Sequence, residues 1–451
     1  MVARGADAWS PSLWRSWPAA QQPAWPDAEA LAGALHTLGG LPPLVSPHES
    51  RRLRAALAEV AQGRAFLLQA GDCAESFDEV SAEALRERLK LILQMAIVLT
   101  YGAGVHVVKV GRIAGQYAKP RSSPVEIVDG VELPSFRGPM VNGDEPTPSA
   151  RAADPARLVT GYRRAALTLD LLRGLVSGGF ADLGRVHTWN REFVASSPAG
   201  RRYESLAEEI QRALRFMRAC GVDIEGDPRF HQVTLWTSHE ALLLDFEEVL
   251  TRRDPQHGEW FDGSAHMLWI GERTRALGGA HVEFCAGIAN PVGVKLGPLA
   301  TAAEVLGLCA RLDPRREPGR LTFIARMGAS RVRERLPALL AATREAGHPV
   351  VWACDPMHGN TSLTADGRKT RHFDAVVAEL VGFFDCCLAA DVWPGGIHVE
   401  LTADDVTECL GGGDALAPED LARRYTTTCD PRLNGRQSLD LAFRIAERLR
   451  G

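Results

Sequence analysis

Eight short apolar runs, each stopping at a glycine, a proline or a residue with chemistry, constrain this chain more than any other feature. They are Ala65–Gln69, Val105–Val110, Val233–Thr237, Met267–Ile270, Val292–Leu296, Leu321–Ala325, Val350–Ala353 and Ile397–Leu401. Short apolar runs bounded by turn signals read as strands buried on both faces, the pattern of parallel sheets. Segments of helical period separate the later ones: Ala302–Ala310, Ser330–Glu345 and His372–Ala389. Ser81–Thr100 is a stronger helix, with Leu85, Leu89, Ile92, Ala96 and Leu99 on one face. The alternation predicts an α/β chain folded as a (β/α)8 barrel. A doubly wound sheet is the alternative, but no Gly-x-Gly-x-x-Gly turn follows the first strand.

The rest of the chain is assigned around that barrel. Residues 1–47, rich in Pro, Trp and Ala, read as an N-terminal arm packed on the outside, with a short helix over Asp27–Leu38. Residues 48–451 form the catalytic barrel, beginning with a helix over Glu49–Gln62. A helical insertion at about 155–220 precedes the third strand and contains the helices Pro155–Ser177 and Arg202–Ala219. A ninth strand-like run, Gly184–Trp189, belongs to this inserted material. The prolines and glycines of residues 123–150 predict a long loop.

Composition removes several function classes. The formal net charge of −5 over 451 residues argues against nucleic acid as the main partner. The longest apolar run, Leu91–Leu99, contains Gln94 and is far too short to span a bilayer, so no membrane association is expected. No basic start leads into an apolar core, and the nine cysteines show no framework spacing. Together these predict reduced thiols and a cytoplasmic protein.

Barrels carry their chemistry where strand C-terminal ends converge, and the residues at those ends fall into two sets. Cys73, His358 and Glu400 follow or finish strands, and Asp430 stands in the proline-containing loop Thr428–Asn434. One thiolate, one imidazole and two carboxylates suit Mn²⁺, Co²⁺, Fe²⁺ or Zn²⁺ better than Ca²⁺. Arg112, Lys119, Arg121, Arg273, Lys295 and Arg326 stand among glycines at the same ends. Cations gathered there repel one another unless an anion joins them, and guanidinium forks bind phosphate or carboxylate bidentately. Taken singly, each residue has an ordinary reading as a buried Cys, a capping Asp or a solvated cation. Taken together, they point to a metal-dependent enzyme acting on small phosphorylated or carboxylated molecules. If Cys73 and Asp430 reach one ion, Cys429 stands beside it, and a Cys73–Cys429 disulfide is geometrically open when the metal is absent.

Longer motifs carry a resemblance. They are Gly71-Asp72-Cys73-Ala74-Glu75-Ser76-Phe77, the run from Lys109 to Ser122, Trp269-Ile270-Gly271-Glu272-Arg273-Thr274-Arg275 and Asn290-Pro291-Val292-Gly293-Val294-Lys295-Leu296-Gly297-Pro298. To these are added Cys354–Thr361, Gly395–Glu400 and Cys429-Asp430-Pro431-Arg432-Leu433-Asn434. The chain resembles the type II 3-deoxy-D-arabino-heptulosonate 7-phosphate (DAHP) synthases from about Gln21 to the C-terminus. Gly111 and Ser76 depart mildly, standing where many members have Ala and Thr. The resemblance implies condensation of phosphoenolpyruvate with D-erythrose 4-phosphate and water to give DAHP and phosphate, the first committed step of the shikimate pathway. It implies Cys73, His358, Glu400 and Asp430 as ligands of Mn²⁺ or Co²⁺, with Zn²⁺ and Fe²⁺ as further options. Arg112, Glu272, Arg273, Lys295 and Arg326 match the phosphoenolpyruvate site, with Glu272, Arg273 and Lys295 as catalytic residues and Glu272 the candidate to orient water. Lys119, Pro120, Arg121 and Ser122 match the loop that receives the sugar phosphate. A homodimer or homotetramer is expected. Two alternatives stay open on the sequence: an amino-DAHP synthase using an aminated tetrose phosphate, and a catalytically silent regulatory homologue.

Overall fold

The eight runs close into an all-parallel barrel. A computed structural model describes residues 9–450 other than 129, 179, 181–182, 197–202 and 223–232. Its barrel strands are β1 (Ala65–Gly71), β2 (His106–Arg112), β3 (Leu235–Glu240), β4 (Met267–Ile270), β5 (Val292–Leu296), β6 (Leu321–Ala325), β7 (Val351–Cys354) and β8 (Gly396–Glu400). Each pairs in parallel with the next, and β8 pairs with β1. In this register Gly71 stands opposite both Glu400 and Arg112, which brings the ends of β8, β1 and β2 to one level.

The barrel interior changes character along its axis. At the N-terminal end Leu67, Val108, Val110, Met267 and Val351 form one cluster with Leu53, Leu57 and Val60 of the helix Pro47–Ala61. That helix is started by a capping box between Ser46 and Glu49, and it plugs the barrel from below. Toward the C-terminal ends the buried inward positions turn polar, with Gln69, Ser238 and His398 followed by Arg112, Glu240, Lys295 and Glu400. Gln69 joins this layer, since His398 Nδ1 lies 2.8 Å from its Oε1 and its own Nε2 donates to Ser238 Oγ at 2.9 Å.

Three features differ from the sequence reading. The third strand is Leu235–Glu240, not Val233–Thr237. Ser238, His239 and Glu240 break the apolar pattern, yet they are buried because partners wait for them. Ser238 Oγ donates to the Gly111 carbonyl at 3.1 Å, and His239 Nε2 lies 2.9 Å from Glu247 Oε1. The run Gly184–Trp189 lies within the helix Leu183–Ser196. The stretch 123–150 contains a hairpin, Val125–Val128 with Val131–Pro134. The two other inserted helices are Ala156–Ser177 and Glu204–Ala219; Arg202 falls outside the described residues.

Near the start of the described residues, Trp14 and Arg15 are tied to the segment after β3. Trp14 Nε1 donates to Glu248 at 2.8 Å, and Arg15 pairs with Asp245 and Glu248. Gln21 Oε1 accepts from the Arg121 backbone N–H at 2.9 Å, so the arm reaches the loop after β2. Among the described residues no helix is long and apolar enough to cross a membrane.

The long helix Ala82–Ala103 crosses the C-terminal helix Gly435–Arg450 at nearly backbone contact. A Cβ built on Gly102 would lie 2.3 Å from Ala446 Cα. Gly102→Ala is therefore expected to destabilise the fold by about 1–3 kcal/mol through overpacking. Thermal unfolding followed by circular dichroism checks this, and an unchanged midpoint would refute so close a crossing.

Candidate active site

Glu400, fully buried at the end of β8, is surrounded by four cationic or titratable side chains. Its Oε1 lies 2.9 Å from Arg112 Nη2, 3.0 Å from Lys119 Nζ and 3.1 Å from His358 Nε2, while Oε2 accepts from Arg371 Nη1 at 2.9 Å. Burial opposes its charge, but His358, Lys119, Arg371 and Arg112 outweigh that and hold the carboxyl well below the usual range. Asp430 is treated alike: burial opposes ionisation, and Lys119 foremost restores it.

Cys73 Sγ and carboxylate oxygens of Glu400 and Asp430 all lie within 4.8 Å of one another. Lys119 Nζ stands among them, 3.0 Å from each carboxylate and in hydrogen-bond contact with Cys73 Sγ. A positive charge thus sits where two carboxylates and a thiol converge, which fits a cation-binding set of borderline hardness. Burial opposes the Lys119 charge, yet Asp430, Cys73 and Glu400 together raise its pKa well above the ordinary lysine value. His358 reaches this set through Glu400 and is not one of the three mutually close donors. Its Nδ1 lies 2.7 Å from Asp355 Oδ2, which leaves Nε2 facing Glu400, the orientation an imidazole ligand needs.

Beside this centre opens a cleft of about 220 Å³. It is lined by Lys119, Pro120, Arg121, Ser122, Glu272, Arg273, Lys295, Arg326, His358 and Asp430. Arg273 has no side-chain partner among the described residues, and Arg326 Nε is buried without one. The buried Arg326 Nε is a donor that an arriving anion can satisfy, and the exposed Arg273 fork is free to meet one. Lys295 pairs with Asp355 at 2.9 Å; burial lowers its pKa, with Arg112 adding repulsion and Asp355 opposing. Arg121 is paired with Glu126. Glu272 is more committed: its oxygens accept from Gly297 N at 2.7 Å and from Arg275 at 3.0 and 3.2 Å.

Arg112 does not line the cleft. Its guanidinium is spent behind it, on the Asp72 and Cys73 carbonyls, on Glu400 and on His398, so it braces the metal-type donors. A larger hollow of about 660 Å³ lies on the inserted helices and includes Arg191, Arg212 and Arg215, but it is far from the barrel mouth in sequence and holds none of the residues above.

Sequence reasoning missed several groups. Lys369 and Arg371 come from the hairpin Thr361–Leu363 with Lys369–Arg371, and bind Asp430 and Glu400. Glu240 lines the cleft with Oε1 buried and unpartnered, and burial raises its pKa. Glu240 ends a strand, so the signal that found the others applied to it. The hairpin residues had no such signal.

A parallel barrel with anion-binding and metal-type donors at its C-terminal mouth defines a class of enzyme fold. Within it, the sequence model of the class-II DAHP synthetase family matches residues 9–446. The chain belongs to that family. It is 57% identical over 97% of its length to the phospho-2-dehydro-3-deoxyheptonate aldolase of Streptomyces coelicolor, covering 97% of that protein. It is 53% identical over 96% of its length to the aldolase AroG of Mycolicibacterium smegmatis, covering 93% of that protein. The solved structure of the Thermotoga maritima aldolase aligns at 15% identity and TM-score 0.35, covering 84% of this chain and 68% of that one. The sequence matches carry the assignment.

Cys73 and Cys429 are both free and buried, and pack in one small cluster with Phe136. Mild oxidation of metal-free protein with diamide is expected to join them, and prior addition of Mn²⁺ to prevent it. Disulfide mapping by peptide mass reads the outcome. Two free thiols after oxidation would refute it.

Proposed function

We propose that this chain is a 3-deoxy-7-phosphoheptulonate synthase: it condenses phosphoenolpyruvate with D-erythrose 4-phosphate and water, giving DAHP and inorganic phosphate. The observation that carries this reading is the pairing of a Cys/Glu/Asp donor set with a cleft lined by Lys and Arg side chains, in a chain more than half identical to phospho-2-dehydro-3-deoxyheptonate aldolases.

Cys73, Glu400, Asp430 and His358 are assigned to hold a divalent ion, Mn²⁺ or Co²⁺ foremost. When bound, such an ion polarises the aldehyde oxygen of the sugar phosphate and stabilises the negative charge that develops there. Lys119, which counter-charges these donors here, then becomes available with Pro120, Arg121 and Ser122 to receive the sugar phosphate. Arg273, Lys295 and Arg326 take the phosphate and carboxylate of phosphoenolpyruvate, while Arg112 fixes Glu400 and the Cys73 backbone from behind. Held so, C3 of phosphoenolpyruvate faces the aldehyde carbon in an attack-ready geometry. C2 then gains cationic character and is captured by water. Glu272 and Glu240 are the carboxyl groups at this cleft that can orient that water. Loss of phosphate from C2, with cleavage of the C–O bond, leaves the ketone of the product. Exposed Leu167 and Phe216 on the inserted helices support a homodimer or homotetramer assembled there.

Phosphate release from phosphoenolpyruvate, dependent on erythrose 4-phosphate, is the direct test. It is expected to cease in chelator, to return with Mn²⁺ or Co²⁺, and to be absent in His358→Ala and Glu400→Gln proteins that remain folded. Full turnover by metal-free protein in chelator would overturn the metal assignment. An aldol cleavage without phosphate release would overturn the reaction.

Arg273→Lys keeps the charge but not the fork. It is expected to lower kcat/KM for phosphoenolpyruvate roughly tenfold to a hundredfold, the equivalent of about 1.5–3 kcal/mol for one charge-assisted contact. Changes at Arg121 act instead on the sugar phosphate. Equal effects of both variants on one substrate would refute this division.

A further inference from the structure

One fully buried carboxylate outside the cleft joins its two halves. Glu379 lies on the helix Phe373–Ala389, which packs outside the barrel. Its Oε1 accepts from the backbone N–H groups of both Met327 and Gly328 at 2.7 Å, immediately after Arg326. Its Oε2 accepts from Asn360 Nδ2 at 2.7 Å, two residues after His358. Asn360 completes the tie: Nδ2 also donates to the Pro356 carbonyl at 2.8 Å, and Oδ1 accepts from Ala329 N at 3.0 Å.

No side chain separates the two loops at this point. Gly328 has φ +86°, and a Cβ there would lie 2.9 Å from the Gly359 carbonyl oxygen; a Cβ on Gly359 would lie 2.3 Å from Gly328 N. On the cleft side, Arg326 Nη2 donates to the His358 carbonyl at 3.1 Å, leaving Nε buried and open. The loop carrying an anion-binding arginine and the loop carrying a metal-type histidine are thus held backbone to backbone.

We propose that Glu379 is a positioning residue, a clamp that sets Arg326 against His358 so that phosphoenolpyruvate binds in register with the metal-type donors. The proposal rests on the function assigned above. Both oxygens of Glu379 face N–H donors, so an amide would meet a donor with a donor on one side. Removing these acceptors would leave buried N–H donors unpaired, which is costly. The loop of Lys119 and Arg121 is held elsewhere, by Glu75, whose oxygens accept from Ala114, Gly115 and Gln116 N–H groups at 2.9–3.0 Å. Damage at Glu379 leaves that loop in place and is expected to fall more heavily on phosphoenolpyruvate than on the sugar phosphate.

The test uses the full-length protein with Mn²⁺. Calorimetry gives Kd for phosphoenolpyruvate alone, and kinetics give KM for erythrose 4-phosphate. Glu379→Gln is expected to weaken phosphoenolpyruvate binding at least tenfold and to change the erythrose 4-phosphate KM less than twofold. Unchanged affinity in Glu379→Gln, or equal loss for both substrates, would overturn the clamp. Should Glu379→Gln fail to fold, Asn360→Ser on the half-exposed turn removes the same contact; a selective loss supports the clamp and wild-type values overturn it. Wild-type protein that binds phosphoenolpyruvate without releasing phosphate would overturn the proposed reaction, while the affinity comparison would still judge the clamp.

Discussion

The ion cluster around Glu400 is the interaction on which the rest of the site depends. A carboxylate with no solvent contact at the end of β8 draws in Arg112 from β2, Lys119 from the following loop, His358 from the loop after β7 and Arg371 from a hairpin. None of these groups would be stable there alone. Removing one partner of a buried pair typically costs about 3–5 kcal/mol, because the other is left charged and unpaired. The cluster therefore fixes its members in place, and the metal-type donors inherit that rigidity.

Further buried pairs extend the same logic outward. Asp72, just before Cys73, is held between Arg88 at 3.3 Å and Arg432 at 3.1 Å. Arg432 also binds Glu408, so the loop of Asp430 is tied to the loop of Cys73 through Asp72 and to the segment after β8 through Glu408. Glu75 gathers three backbone N–H groups where β2 turns into the loop of Lys119, and Glu379 does the equivalent after β6. The loops of Cys73, Lys119, Arg326 and Asp430 are thus each anchored by an acid that does not line the cleft. The cations facing the cleft, Arg273 and Arg326 above all, keep unused donors. The division is physical: acids saturate the supports, and the open positive charge is left for an anion.

Much of this was legible in the sequence for a simple reason. Strands buried on both faces must be apolar, so β4, β5 and β6 appear in the sequence with the boundaries the structure has. Strand ends in a barrel converge, so Cys73, Lys295, Arg326, His358 and Glu400 could be grouped from their positions alone. The reading failed where burial depends on a partner rather than on apolarity. Ser238, His239 and Glu240 look like the end of a strand, but Gly111, Glu247 and the cleft allow them to continue it. Arg371 and Lys369 look like two more solvated cations until the hairpin folds them over Glu400 and Asp430.

By itself, then, the sequence determined the alternation of strand and helix, the closed barrel that alternation favours, and the kinds of residue at its mouth, because periodicity and apolar burial are local properties. Only the tertiary structure decided what each charged group does. It turned Arg112 away from the cleft, set Lys119 among the metal-type donors, and joined the loops of Arg326 and His358 through a glutamate some fifty residues from the first and twenty from the second. Those outcomes rest on electrostatic pairing between elements distant in the chain. The energy of such a pair is set by distance and burial in three dimensions, and neither is written in the local order of residues.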